Sequence, residues 1–254
     1  MSESQQAHIA ALQAELQAMR AEMQDFTYTV SHDLRASLRH ILAYAELVQE
    51  DAGDQMDAEV RAHLDTISSA ARHMGVLMDG LMELSRLATV SMHCVPVELG
   101  SLVHEVCAVL RANQAERDIE WRIAQDFPLV QADGDLLRQA LQHVMGTALK
   151  FTKLRPQAVV ELGWERASDG AEPSDSRQII FFVRDNGVGF NPAMQAKLFR
   201  VFQRLHSPRQ FEGVGIGLAL TRKIVERHGG AVAAEGAVDG GCCVRLQLPG
   251  VPPT

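Results

Sequence analysis

Asp185-Asn186-Gly187-Val188-Gly189-Phe190 is followed, about two dozen residues later, by Gly213-Val214-Gly215-Ile216-Gly217-Leu218, which runs straight into an amphipathic stretch. Glycine has no Cβ, so its backbone can approach a ligand closely or take positive φ. A glycine-rich loop opening a helix gathers free N–H groups at the positive end of the helix dipole, an arrangement that suits phosphate. Two such loops with a phenylalanine-bearing segment between them point to a nucleotide pocket with a lid.

The chain of 254 residues has room for one large or two small domains. Its formal charge is −8 and no Lys/Arg block stands out, which argues against nucleic acid or an anionic membrane as the main partner. Cys94, Cys107, Cys242 and Cys243 form no C-x-x-C pair. This cysteine usage reads as a reduced, cytoplasmic protein. No apolar run approaches the roughly 18–20 residues that span a membrane. Met1–Gln6 lacks the basic end and apolar core of a signal peptide.

The first third reads as helix. Ile9, Leu12, Leu16, Met19, Met23, Phe26 and Val30 alternate spacings of three and four, an a/d seam that favours a dimeric coiled coil. The seam shifts phase through Leu34, Leu38 and Ile41, and a turn is expected at Asp51–Asp54. A second helix follows on Val60, Leu64, Ile67, Ala71, Met74, Met78 and Leu81. Two such helices make an antiparallel hairpin that buries its seam by pairing with a second copy, giving a four-helix bundle and a homodimer. Periodicity stops near Ser91–Pro96, where we place a boundary. Beyond it the pattern reads as helix 99–117, strand 119–124, helix 134–150, strands 157–165 and 177–184, a lid, helix 214–228, and strands 231–236 and 242–248. Ala167–Ser176 reads as a surface hairpin loop. Helices packed on a mostly antiparallel sheet make an α+β sandwich.

At about 100° per residue, the seam of the first helix centres between Val30 and Leu34, so His32 falls on the opposite, solvent-facing side. A lone helical histidine is ordinarily just surface polarity. This one has an acidic neighbour, Asp33, and a carboxylate can orient an imidazole. Neutral imidazole is a competent nucleophile toward an activated phosphoryl group.

Ser31-His32-Asp33-Leu34-Arg35-Ala36 resembles the H-box of two-component sensor histidine kinases. Asp185–Phe190 resembles their G1 box, Lys197-Leu198-Phe199-Arg200-Val201-Phe202 their F-box, and Gly213–Leu218 their G2 box. The runs Phe202–His206 and Ile224–Gly230 resemble the phytochrome-type branch. The resemblance covers residues from about 26 to 249. After the N-terminal coiled-coil helix read from the seam (1–25), it implies a dimerisation and histidine phosphotransfer domain (26–92) and a catalytic ATP-binding domain of the Bergerat type (95–250). By this resemblance His32 accepts the phosphoryl group of ATP, assisted by Asp33, and passes it to an aspartate on a response regulator receiver domain. Asp185 meets the adenine amino group, and Gly187 and Gly189 let the backbone pass the base. Gly213, Gly215 and Gly217 wrap the phosphates, with Thr147, Lys150 and Leu218 also at the nucleotide. Residues 191–212 form the lid, packed by Phe199 and Phe202. An upstream sensor would act through the N-terminal coiled coil.

The chain departs from the family at the N-box. Ala148, Lys150, Phe151 and Thr152 agree, but His143 and Thr147 replace two asparagines that help hold Mg²⁺ against the triphosphate. Mg²⁺ takes hard oxygen ligands, so His143 is a poor substitute, whereas a threonine hydroxyl does ligate Mg²⁺ in P-loop enzymes. The expectation is a kinase of weak or altered metal-dependent activity, with Thr147 as its remaining metal-side group. The alternative is a dimeric phosphotransfer scaffold with a degenerate ATP domain. Ala36 stands where Thr or Asn accompanies phosphatase action, and Ser37 where proline is common. Cys242-Cys243 replaces a threonine near the adenine, with Cys243 expected to pack there.

Overall fold

The computed structural model describes residues 3–53, 56–114, 116–167, 178–207 and 210–251. It divides into two compact units, Met1–Val90 and Ser91–Thr254. The loop expected at Ala167–Ser176 lies, beyond Ala167, outside the described residues, as do lid residues Pro208 and Arg209 and the side chains of Ile9 and Leu16.

The first unit is a hairpin of α1 (Glu3–Ala52) and α2 (Ala58–Thr89). Helix α1 runs unbroken for 50 residues, so no structural break separates a coiled-coil segment from the rest. Gly53 closes it at φ +48°, a left-handed residue where glycine carries no Cβ penalty. Asp57 caps α2 by accepting from the Glu59 amide at 2.9 Å. The two helices bury small and medium side chains against each other, namely Leu38, Ala45, Ala71 and Met78. Arg35 donates to Asp79 at 2.7 Å across the hairpin. Leu38, Ala71 and Met78 belong to the repeat read from the sequence, but its other members Val30, Leu34, Ile41, Val60, Ile67, Met74 and Leu81 stay exposed in the single chain.

The second unit is a two-layer α+β sandwich. Its elements are β1 (Val95–Glu98), α3 (Leu99–Ala112), β2 (Ile119–Ile123), β3 (Leu129–Ala132), α4 (Gly134–Phe151), β4 (Ala158–Arg166), β5 (Gln178–Asp185), α5 (Gly217–Arg227), β6 (Val232–Gly236) and β7 (Cys242–Pro249). A short 3-10 helix, Pro192–Lys197, follows β5. The main sheet has the order β2-β4-β5-β7-β6, antiparallel except for the parallel β2–β4 pair. Strand alternation sends Ile179, Phe181 and Val183 inward from β5, and Val244, Leu246 and Leu248 inward from β7. They meet Leu137, Leu141, Val144 and Met145 of α4, Val103 of α3 and Val225 of α5 in one core.

Four elements differ from the sequence reading. Strands β1 and β3, not expected, pair as a separate antiparallel ribbon. Each is only four residues long, and Pro96 masks β1 as a strand, being tolerated because the ribbon is two-stranded. Helix α3 stops at Ala112, short of 117. Helix α5 starts at Gly217 because Gly213 at φ +109° and Gly215 at φ +75° hold the preceding loop left-handed.

Candidate ATP pocket and phospho-acceptor helix

On α1, His32 and Asp33 are exposed, their side chains 63% and 76% accessible. His32 Nδ1 lies 3.2 Å from Asp33 Oδ1. A hydrogen on Nδ1 shared with that carboxylate leaves the Nε2 lone pair facing solvent, the tautomer a nucleophile requires. One residue back, Ser31 is buried toward α2.

In the second unit the inward alternation of β5 that buries Phe181 and Val183 also carries Asp185 into the interior, where it is 8% exposed. Burial pushes its carboxyl up to about 6, against the pull of the Gly187 and Cys242 amides and the Arg155 charge. Its Oδ1 accepts from the Gly187 amide at 2.8 Å. Oδ2 carries the remaining acceptor capacity of a carboxylate. Asn186 fixes the turn's entry, accepting from the Val159 amide at 2.9 Å and donating to the Gln157 carbonyl at 3.0 Å.

The glycines of this turn are required first by the protein's own backbone. A Cβ on Gly187 would sit 2.6 Å from the Phe151 carbonyl oxygen. On Gly189, at φ +58°, it would overlap the Ala237 carbonyl. Cys242, not Cys243, stands beside Asp185, since the two are register partners and strand alternation turns Cys243 to the other face. There Cys243 meets Arg184, Arg245 and Glu235. Burial raises the pKa of both thiols, which disfavours thiolate chemistry.

Helix α4 lines the second side of the pocket. The Lys150 ammonium lies 4.6 Å above the Phe151 ring and within 3.5 Å of where a Gly213 Cβ would stand. Burial, then the Arg204 charge, lower its pKa, while Glu212 raises it. The His143 ring abuts Gly217, with Nδ1 3.2 Å from the built Cβ position. Helix α5 begins there without a side-chain cap, so its first N–H groups face the Gly213–Gly217 loop. Leu218 packs against the core. Lys150, Thr147, His143 and the loop glycines thus share one region, where a cation and helix N–H groups are compatible with an anion.

A magnesium ion fits less well. Thr147 donates its hydroxyl hydrogen to the His143 carbonyl at 2.6 Å and keeps its oxygen lone pairs, but the other position offers only an imidazole. Among the described residues no three His, Cys, Asp or Glu side chains gather as a metal site. Hard oxygen donors are therefore scarce on this face of α4.

The lid divides in two. Phe199 packs on the core, but Phe202, expected to pack the lid, is 40% exposed at φ +59°. The left-handed backbone there turns its side chain away from the interior. Packing instead comes from residues the sequence reading did not single out. His206 and Phe211 form an aromatic triangle with Phe151, with centroids 4.9–5.4 Å apart. His206 Nε2 meets the Gly189 carbonyl at 2.9 Å, and Arg204 donates to the Phe211 carbonyl. Arg155 was also missed. The only signal was an Arg-Pro pair just ahead of a strand.

Residues 22–89 match the His Kinase A (phospho-acceptor) domain, and residues 132–252 match the histidine kinase-, DNA gyrase B- and HSP90-like ATPase family. The methanogenesis regulatory histidine kinase FilI of Methanothrix harundinacea is 32% identical over 92% of this chain and 25% of its own length. Cyanobacterial phytochrome B of Nostoc is 32% identical over 96% of this chain and 31% of its own. The chain thus spans about a quarter to a third of the length of these relatives. The crystal structure of full-length ShkA in complex with AMPPNP aligns with a TM-score of 0.61 at 26% identity, over 90% of this chain and 47% of that one. The fold and its two loops define a phospho-acceptor hairpin joined to a GHKL-type ATP-binding domain. The chain belongs to the two-component sensor histidine kinases.

Proposed function

We propose that the protein is an ATP-dependent histidine kinase core that phosphorylates His32 and passes the phosphoryl group to a receiver-domain aspartate. The observation that carries this reading is the His32–Asp33 pair at 3.2 Å on an exposed helix. Asp33 holds the Nδ1 hydrogen, and Nε2 attacks the γ-phosphorus. The bond from that phosphorus to the bridging oxygen breaks and ADP departs. Catalysis rests on positioning and on neutralising phosphate charge. Lys150 and the uncapped start of α5 supply positive potential. Asp185 accepts from the adenine amino group, and Gly187, Gly189, Gly213, Gly215 and Gly217 shape the two loops.

The homodimer follows from the outward seam. A helix pair that leaves Leu34, Ile41, Ile67, Met74 and Leu81 exposed is completed by a second copy as a four-helix bundle. An upstream sensor acting through α1 is part of the same reading, as is a cytoplasmic location. No described helix is long and apolar enough to cross a membrane.

A second reading has its own support. His143 stands where an amide oxygen would serve magnesium better, which leaves the Thr147 hydroxyl oxygen as the only hard donor at the two positions. On that reading the protein is a phosphotransfer scaffold with a degenerate ATP domain. Two incubations separate the readings: one with γ-labelled ATP, one with a phosphorylated receiver domain. Label from ATP on His32 supports the kinase. Label from the receiver alone supports the scaffold.

A further inference from the structure

Four consecutive carbonyls of the turn after β5 are each held by a group from outside it. Arg155 donates from Nε to the Asn186 carbonyl at 2.8 Å and from Nη2 to the Gly187 carbonyl at 2.9 Å. The Asp239 amide donates to the Val188 carbonyl at 2.8 Å. His206 Nε2 meets the Gly189 carbonyl at 2.9 Å. Arg155 goes further, donating from Nη2 to the Asp239 carbonyl at 3.0 Å and reaching its carboxylate at 3.4 Å. One half-buried side chain therefore joins the α4–β4 loop, the Asp185 turn and the β6–β7 turn.

We infer that Arg155 is a positioning residue for nucleotide binding, fixing the Asn186 and Gly187 peptides and through them the direction in which Asp185 offers its carboxylate to the base. This rests on the reading of the pocket as an ATP site. A turn with glycine at 187 and 189 has little stiffness of its own. Its Gly187 amide is also the group that orients Asp185. Rotation of the 187 peptide would swing that donor away from the carboxylate. A guanidinium grips two adjacent carbonyls because its donors lie in one rigid plane, and an ammonium lacks that fork. The Arg155 cation also opposes protonation of Asp185.

The test is ATP affinity without metal, measured on the full chain for wild type, Arg155→Gln and Arg155→Lys from about pH 5 to about pH 8, with thermal midpoints alongside. Arg155→Gln is expected to weaken ATP by about tenfold or more at the upper pH and to move the acid limb of the affinity profile to higher pH. Arg155→Lys keeps the wild-type acid limb but not the affinity, since it restores charge without the fork. Wild-type affinity in Arg155→Gln overturns the inference. So does a loss that lysine repairs in full with the pH profile unmoved. Should Arg155→Gln not fold, folded Arg155→Lys decides: weakened ATP supports the inference and wild-type affinity overturns it. A wild-type chain that binds no ATP at any pH overturns the pocket reading and this inference together. That failure is told apart because it appears before any substitution.

Discussion

At the residue scale the pocket is built around a carboxylate held where water is scarce. Raising Asp185 from 3.8 to about 6 corresponds to about 3 kcal/mol of disfavoured ionisation. Between those two values the folded state binds more protons than the unfolded one, so the Asp185 contribution to stability falls as pH rises through that window and is flat above it. Asp185→Asn is therefore expected to be at least as thermally stable as wild type at about pH 8 while binding ATP about tenfold more weakly, as read by calorimetric titration. Wild-type ATP affinity in that variant would remove Asp185 from the base site. Gly189 is the opposite case, a residue whose smallness serves the fold. Gly189→Ala is expected to cost about 2–4 kcal/mol in chemical unfolding, because the added Cβ meets the Ala237 carbonyl at a left-handed φ. His228 supplies a second pH signal. Its Nε2 accepts from the Asp133 amide at 2.9 Å and its Nδ1 meets the Ile224 carbonyl at 2.8 Å, both satisfied by the neutral ring. Burial lowers its pKa from 6.5, so its share of stability is present above 6.5 and is lost as pH falls toward the lowered value. Thermal midpoints of wild type and His228→Asn should converge as pH drops. A constant gap would contradict this.

At the scale of elements, α4 is, on the kinase reading, the helix on which catalysis depends. Its inward stripe of Leu137, Leu141, Val144 and Met145 builds the core, so the polar residues on its flank are carried to the Gly213–Gly217 loop by packing alone. Replacing His143 and Thr147 with Asn supplies amide oxygens to a metal on that flank. The doubly substituted protein is expected to gain about tenfold or more in Mg²⁺-dependent phosphorylation rate. An unchanged rate means that the present residues serve as well. Long periodic elements, α1, α2, α4 and the central strands, were legible because a repeated apolar spacing states which face is buried. Strands β1 and β3 were not, both being too short for a period and β1 being interrupted by Pro96. The pocket glycines were legible as a motif, but not the partners that make them necessary. Ala237, Gln203 and Phe151 approach those positions only through the fold. Arg155, His206 and Phe211 escaped for the same reason, since no local pattern marks a side chain that reaches a distant carbonyl or ring.

At the scale of the whole molecule, the hairpin leaves work undone. The a/d repeat predicted a buried seam, and the single chain buries only part of it, Leu38, Ala71 and Met78, together with Ala45, and leaves the rest exposed. The outward seam belongs to contacts between copies on the dimer reading. Removing residues 1–22 should leave a dimer by light scattering, with a weaker association constant, if α1 and α2 hold the bundle below Val30. A monomer would place the dimer contact in the N-terminal segment instead. The central claim joins the two units chemically: ATP held in the second phosphorylates His32 in the first. Its most direct measurement is site mapping of phosphate after incubation with ATP and divalent metal, wild type against His32→Gln. The account predicts acid-labile phosphate on His32 in wild type and none in the variant. Phosphate equally present in both, or absent from a wild-type chain that binds ATP, would contradict it.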